Sequence, residues 1–219
     1  MLTFEEIAQN EAIKTYIRKA DDALRVLGYT EHSFAHVTKV AQKAKEILLT
    51  LGYPARTAEL AQIAGYLHDI GNVVNRADHA QSGAVMAFRI LDKLGADAED
   101  TATVISAIGN HDEGTAVAVD AVAAALILAD KTDVRRSRVR NRDMSTFDIH
   151  DRVNYAVEEA STEIAADKSA ITLRIRIDTA CASVMDYFEI FLQRMLLCRK
   201  AAERLGLRFG LVINDQAVL

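Results

Sequence analysis

The chain contains six side chains that can coordinate a metal ion, each on or beside an apolar pattern that predicts a helix. These residues are His36, His68, Asp69, His79, His111 and Asp130. Burying so many polar groups without partners would cost a few kcal/mol for each group. One or two metal ions are the simplest partners for all six, because imidazole nitrogens and carboxylate oxygens are common metal ligands.

The spacing of these residues places them on the predicted inward faces of helices. His36 precedes Val40 by four residues, and Asp130 follows Leu126 by four, so each shares a helical face with apolar side chains. A single histidine on such a face is more often an ordinary core residue than a ligand. An inward aspartate is rarer, because buried carboxylates are usually paired. The six residues together therefore predict a metal site.

The elements that must position these residues are predicted from the apolar periodicity. It favours helices over about 4–27 (broken once), 31–51, 56–70, 79–94, 98–110 and 115–132. The tripeptide Gly52-Tyr53-Pro54 is typical of a helix end, as is Gly71. Every predicted ligand then lies in or beside one of these helices.

The pattern changes after about residue 133. Residues 135–142 hold five arginines, which favour a solvated charged loop. A helix is predicted near 150–165, a strand over 171–177 where apolar and polar residues alternate, and a long helix over 179–205. The tail alternates again before a turn at Asn214-Asp215. We therefore predict a mainly α fold, with a helical domain over 1–150 and a small α+β extension over 151–219.

Composition excludes several classes of protein. The 219 residues are half hydrophobic with a net charge of −5, which argues against binding to extended nucleic acid. No apolar stretch reaches the roughly 18 residues of a membrane span, and the N-terminal residues do not resemble a signal peptide. Cys181 and Cys198 lie too far apart in one predicted helix to bridge. We interpret them as reduced thiols, which predicts a cytoplasmic protein.

The order of four of these residues resembles a known family. His36, His68-Asp69 and Asp130, within the segments EHSFAHV, AGYLHDIGN and ALILADKTD, are similar to the motifs of the HD-domain metal-dependent phosphohydrolases. The resemblance covers roughly residues 28–142 and implies a bundle of helices. The HD dipeptide alone is weak, since it recurs at His111-Asp112 and His150-Asp151, but the ordered set is specific.

Two further histidines resemble the additional ligands of the dinuclear HD subgroup. By that resemblance, His36, His68, Asp69 and Asp130 would bind one metal ion, and His79 with His111 would bind a second, with Asp69 bridging the two. The alternatives are that His79 is an ordinary polar residue of a first helical turn and that His111 interacts with a helix dipole. The cofactor would be one or two divalent ions of Fe, Mn, Co, Ni or Zn, among which the sequence does not choose.

The resemblance implies a phosphohydrolase in which metal-activated hydroxide attacks a nucleotide or another small phosphorylated molecule. His68 and Asp69 would serve catalysis as ligands, and Lys131 and Arg135 follow the last ligand closely enough to bind phosphate. Asn72 stands where many relatives have a phosphate-contacting lysine, which weakens any inference toward cyclic dinucleotides. His32, one turn before the first ligand, is a candidate for the mouth of the pocket.

Two other functions fit the same residues. The same ligands can hold a di-iron centre of an HD-superfamily oxygenase, and a non-catalytic regulatory module could keep the metal site for stability. The C-terminal extension does not discriminate among these functions. Arg174 and Arg176, on the polar face of the predicted strand, fit a packed extension, the surface of a homo-oligomer or a substrate site equally well.

Overall fold

The structure is a computed structural model that describes residues 1–219. It contains nine α-helices and one four-stranded sheet. The helices are α1 (Phe4–Gln9), α2 (Glu11–Val26), α3 (Phe34–Leu51), α4 (Ala55–Leu67), α5 (His79–Lys93), α6 (Ala98–Gly109), α7 (Ala121–Lys131), α8 (Ile149–Ala156) and α9 (Val184–Arg204). The strands are β1 (Val157–Ile164), β2 (Ala170–Ile177), β3 (Arg208–Ile213) and β4 (Gln216–Ala217). The predicted fold class, mainly α with a small C-terminal α+β part, is confirmed.

Local capping decides where several of these helices begin. The Asn10 side chain accepts hydrogen bonds from the backbone amides of Ala12 and Ile13, so the predicted helix over 4–27 breaks at that residue. Asp120 caps α7 in the same way through the amide of Ala123. The expected start of that helix near residue 115 is therefore wrong, and residues 115–120 precede it.

The centre of the molecule is formed by α3, α4 and α7. Along α7 every residue from Val122 to Ala129 is buried. A Cβ atom added at Gly65 of α4 would lie 2.8 Å from the Cα of Ala41 on α3. The glycine thus allows α3 and α4 to approach more closely than any other residue would. This close packing brings the histidines of the two helices near each other.

The predicted helix over 150–165 is wrong in its second half. After α8 ends at Ala156, residues Val157–Ile164 form β1, which pairs antiparallel with β2. The glutamates of this segment and Ala160 favour a helix on their own. Pairing with β2 nevertheless makes the segment a strand. Glu163 lies 3.3 Å from Arg174 across the pair, which is the kind of contact that a cross-strand register provides.

The sheet has the order β1-β2-β3-β4. Strands β2 and β3 are parallel and are connected through α9, whereas the outer pairs are antiparallel. Strand β2 has the predicted alternation, and Asn214 and Asp215 form the predicted turn with positive φ angles of 49° and 65°. Helix α9 packs against α7, and the apolar side chains of the sheet belong to the same buried cluster as those of the helices. Residues 151–219 therefore share one continuous core with the preceding helices.

No helix combines the length and the apolarity that a membrane span requires.

Candidate metal centre

All six predicted ligands lie at or near the ends of helices. His36 is in the first turn of α3, His68 and Asp69 follow α4, His79 begins α5, His111 follows α6, and Asp130 is in the last turn of α7. Five of the six are buried, with relative exposures of 0–4%, and the Asp130 side chain is 11% exposed. The ends of five helices thus converge on one internal position.

The ligand atoms form two overlapping groups. The first contains His36, His68 and Asp130, and the second contains His68, Asp69 and His111; in each group the ligand atoms lie within 4.8 Å of one another. The Nε2 atom of His36 is 3.3 Å from Oδ1 of Asp130, and that of His68 is 3.1 Å from Oδ2 of Asp69. The structure therefore places His68 within reach of both groups.

His79 lies at the edge of the second group. Its Nε2 atom is 3.2 Å from Nε2 of His111 and 3.6 Å from Oδ1 of Asp69. The two carboxylate oxygens of Asp69 thus face different neighbours, with Oδ2 toward His68 and Oδ1 toward His79. This is the position that a bridging carboxylate would need between two ions.

The hydrogen bonds of the four histidines fix which nitrogen faces the centre. Three of the Nδ1 atoms lie 2.6–3.1 Å from backbone carbonyl oxygens, those of Gly65, Arg76 and Ile108. A carbonyl oxygen only accepts hydrogen bonds, so each of these Nδ1 atoms carries the proton and donates it. The Nδ1 atom of His36 lies 2.8 Å from the carboxylate of Asp133. In all four rings the Nε2 lone pair is left to point toward the centre.

Among these lone pairs, only that of His79 has a protein donor, Nη1 of Arg76 at 3.4 Å. The Nε2 atoms of His36 and His68 and the Oδ2 atom of Asp69 are buried without a hydrogen-bond partner. Nε2 of His111 faces that of His79 across 3.2 Å, where two lone pairs repel each other, although Arg76 donates to His79 from 3.4 Å. Orphaned acceptors of this kind are costly when buried. The residues present therefore fit one or two divalent cations.

The charge states of the ligands suit cation binding. Burial opposes ionisation of Asp69, but His68 and the neighbouring histidines outweigh it and hold the pKa of this carboxyl well below its ordinary value. Burial would lower the pKa of His68, but the charge of Asp69 outweighs it and raises that pKa, so a metal ion at Nε2 would compete with a proton. At Asp130 burial is outweighed in the same way, chiefly by Lys131, and the pKa is again well below normal. Burial lowers the pKa of His111 to about 3. At neutral pH the site therefore offers carboxylates and a neutral imidazole.

Basic side chains surround the ligands. An inner cavity of about 20 Å³, enough for one or two water-sized species, is lined by His32, Asp69, Arg76, His79, His111, Asp130, Lys131, Arg138 and Arg194. A second cavity of about 560 Å³ adjoins it and shares four of these residues. Cationic groups thus stand between the ligands and the larger cavity.

The two predicted phosphate-binding residues differ in position. Lys131 is buried in the inner cavity, with Nζ 2.8 Å from Asp130 and 3.2 Å from Glu113. Arg135 does not line that cavity. It pairs with Asp133 at 3.0 Å and faces a separate cleft beside β2. The structure therefore brings Lys131 to the centre, whereas Arg135 is held outside it by Asp133 and by Glu31 at 3.4 Å.

Asn72, which stands where many relatives have a lysine, has a structural role in this site. Its Nδ2 atom donates to Oδ1 of Asp69 at 2.9 Å and to the backbone carbonyl of the same residue at 2.9 Å. Asn72 therefore holds the orientation of the Asp69 carboxylate, which belongs to the second group. His32 lines both cavities, as expected for a residue at the mouth of the site.

Sequence reasoning missed four residues at or behind the centre: Arg76, Asp133, Arg138 and Arg194. The expectation of a solvated arginine loop is wrong for Arg138, which is 5% exposed and donates to the backbone carbonyls of Glu31 and Asp133. Asp133, three residues after Asp130, could have been found from its spacing. Arg194 lies on α9 and gave no signal in the sequence.

The chain matches the model of one protein family and is similar to known proteins. The family model of the HD domain matches residues 33–153. An uncharacterized protein of Methanocaldococcus jannaschii is 26% identical over 212 residues, which cover 86% of this chain and 80% of that protein. A crystal structure of a predicted HD superfamily hydrolase from an uncultured Thermotogales bacterium is 27% identical with a TM-score of 0.46, and covers 60% of this chain and 72% of the other.

Proposed function

The chain belongs to the HD-domain family, and on that premise we propose that it is a metal-dependent phosphohydrolase. Its substrate would be a phosphate ester or phosphoanhydride of a nucleotide or another small phosphorylated molecule. The observation that carries this proposal is the set of orphaned acceptors on His36, His68 and Asp69 beside a cationic cavity. The acceptors suit a divalent ion, and the cations suit an anionic substrate.

The resemblance to the HD family, rather than the two groups of ligand atoms alone, assigns the residues that would hold the metal. His36, His68, Asp69 and Asp130 would hold one ion, and Asp69 with His79 and His111 would hold a second. When bound, such an ion supplies Lewis acidity toward a phosphoryl oxygen and toward water. The mixture of imidazole and carboxylate ligands suits Fe, Mn, Co, Ni or Zn.

The chain's own residues bind and orient the phosphate. Arg76 and Arg138 lie at the junction of the two cavities, where a phosphoryl group entering from the larger cavity would meet their guanidinium groups. Arg138 is held by two backbone carbonyls, so it is fixed in place before any substrate arrives. A guanidinium group suits phosphate oxygens because it can donate two parallel hydrogen bonds.

Lys131 acts as a fixed cation rather than as a base. Burial would lower its pKa, but Asp130 and Glu113 outweigh that effect and raise the pKa above its ordinary value. The ammonium group therefore stays protonated at neutral pH. It orients Asp130 through the 2.8 Å contact and adds positive charge to the wall of the inner cavity.

The cationic wall also bears on the oxygenase alternative. Dioxygen is neutral and gains nothing from Lys131 and three arginines, so these cations favour an anionic organic substrate whichever reaction the site carries out. A phosphorylated substrate is such an anion and therefore matches this site.

Phosphate release under controlled metal loading tests the proposed function. The protein is stripped with a chelator, reloaded separately with Mn²⁺, Co²⁺, Ni²⁺, Zn²⁺ or anaerobic Fe²⁺, and assayed on nucleoside phosphates and bis(p-nitrophenyl) phosphate. We expect hydrolysis that requires a metal and proceeds without oxygen. Asp69→Ala should abolish turnover and metal uptake with little loss of helix, whereas Asp92→Ala, at an exposed position on α5, should change neither.

Two results would contradict this function. Full activity of Asp69→Ala would exclude the proposed centre. Turnover that appears only with iron and oxygen would favour the oxygenase instead.

A further inference from the structure

Arg194 reaches the metal centre from a part of the chain that lies beyond the matched domain. It is on α9, more than forty residues after the match ends at residue 153. Its side chain lines the inner cavity together with Asp69, His79 and Asp130. The C-terminal part of the chain therefore supplies a charged group to the site.

The guanidinium group of Arg194 is held on two sides. Its Nε atom lies 2.5 Å from Oε1 of Glu113, and its Cζ atom lies 4.7 Å from the centre of the Phe191 ring. Glu113 also pairs with Lys131 at 3.2 Å, so one carboxylate serves two cations. These contacts position the arginine, and its side chain remains 30% exposed, which leaves part of the group open to a ligand.

The residues at the junction of the two cavities share one chemical character. Both cavities are lined by His32, Arg76, Arg138 and Arg194. The junction thus contains three guanidinium groups and an imidazole, and no carboxylate belongs to this shared set. Carboxylates lie around this set: Glu113 is 2.5 Å from Arg194, Asp133 is 3.7 Å from Arg138, and Asp148 and Asp151 line the larger cavity. The three guanidinium groups that line both cavities nevertheless favour an anion between them.

We infer that Arg194 is a substrate-binding residue that contacts the phosphoryl group at the junction of the two cavities. The inference rests on the proposed function and adds that α9 is part of the substrate site. The remainder of the substrate would lie in the cavity of about 560 Å³, which is the size of a typical small-molecule site. Tyr29, Asn154 and Phe191 line that cavity. Residues after the matched domain thus contribute Asn154, Phe191 and Arg194 to the walls of the two cavities.

Binding of inorganic phosphate to Mn²⁺-loaded protein tests this inference independently of turnover. Isothermal titration calorimetry would compare the wild type with Arg194→Gln, Arg194→Lys and Arg199→Gln. Arg199 is exposed on the same helix and serves as the matched control. Metal content and Tm are measured for each variant, because a damaged fold would lower both.

We expect Arg194→Gln to weaken phosphate binding by about tenfold or more, the typical effect of losing a charge-assisted hydrogen bond. Arg194→Lys should recover part of the affinity, and Arg199→Gln should match the wild type. Metal content should be the same in all four proteins. In any hydrolysis that the wild type shows, the loss should fall mainly on KM if the arginine binds substrate and transition state alike.

Other outcomes separate the two proposals. Phosphate affinity that is unchanged in Arg194→Gln, or absent from the wild type, would overturn the role of Arg194. The role of Arg194 would also be overturned if Arg194→Gln lost metal to the same extent as it lost phosphate affinity, since the arginine would then have a structural role. If the wild type binds phosphate through Arg194 but hydrolyses no phosphate ester, the anion site stands and the proposed hydrolase fails.

Discussion

At the scale of single residues, the orientation of the metal-facing histidines is mostly a local property. His68, His79 and His111 each donate Nδ1–H to the backbone carbonyl three residues earlier. A bond of this kind needs only the turn of chain that precedes the histidine. His36 differs, because its Nδ1 partner is Asp133, which lies 97 residues away in the sequence.

Asp133 is therefore the distant residue on which the geometry of the first group depends. Its carboxylate accepts from His36 and is held by Lys39 at 2.8 Å and by Arg135 at 3.0 Å. Burial opposes its ionisation, but the hydrogen bond from His36 and the neighbouring arginine charges hold its pKa well below the ordinary value. The carboxylate stays charged and strengthens His36 as a ligand.

The contact between His36 and Asp133 should affect the affinity of the site for metal. Asp133→Asn should lower the affinity for the metal by about 10- to 100-fold, because the neutral amide no longer increases the basicity of His36. Competition with a chromophoric chelator measures the affinity on protein that circular dichroism shows to be folded. Asp92→Asn, an exposed carboxylate on α5, is the control and should bind metal like the wild type. Unchanged affinity in Asp133→Asn would contradict the role assigned to Asp133.

At the scale of elements, the centre is built from helix ends. A carboxylate at the C-terminal end of a helix, such as Asp130 on α7, faces the negative end of the helix dipole and is unfavourable on its own. Lys131 offsets part of this repulsion at 2.8 Å. A bound cation would offset the rest. The location of Asp130 thus gives a second reason why the site suits a metal.

The distance between the histidines of α3 and α4 depends on how closely these helices pack. Gly65→Ala would place a Cβ atom 2.8 Å from backbone of Ala41, and backbone cannot move aside as a side chain can. We expect a loss of about 1–3 kcal/mol in the free energy of unfolding, together with weaker metal binding.

Denaturant unfolding and the chelator competition measure these two effects. Gly109→Ala on α6 is the matched control, since its added Cβ would meet Ala84 at an ordinary 3.6 Å. The interpretation of Gly65 fails if both alanine variants behave alike.

At the scale of the whole molecule, the centre joins helices that are distant in sequence. Its six predicted ligands come from α3, α4, α5, α6 and α7 or from residues directly after them, and α9 adds Arg194 to the wall. The apolar core continues from these helices into the sheet. Metal binding should therefore stabilise the molecule as one unit.

Metal binding should therefore raise the thermal stability of the whole molecule. A metal at about 1,000 times its Kd stabilises the native state by about 4 kcal/mol, which corresponds to an increase in Tm of roughly 8–16 °C for a domain of this size. Differential scanning calorimetry of chelator-treated and Mn²⁺-loaded protein measures the shift. Asp69→Ala should show no such increase. A wild-type Tm that is independent of metal would contradict a site that joins the helices.

The ordered ligand set, the family and most of the helices can be predicted from the amino-acid sequence alone, because these depend on residue type and on spacing of a few residues. His68 and His111 illustrate this, since even their Nδ1 partners are local. The alternating pattern of β2 and the turn at Asn214-Asp215 are local for the same reason.

The features that depend on a distant partner become visible in the folded protein alone. Residues Val157–Ile164 contain good helix formers, but pairing with β2 makes them a strand. The arginines of residues 135–142 predict a solvated loop, yet Arg138 is buried and donates to the backbone carbonyls of Glu31 and Asp133. Arg194 reaches the centre because α9 packs against α7, and no local pattern encodes a contact between residues so far apart.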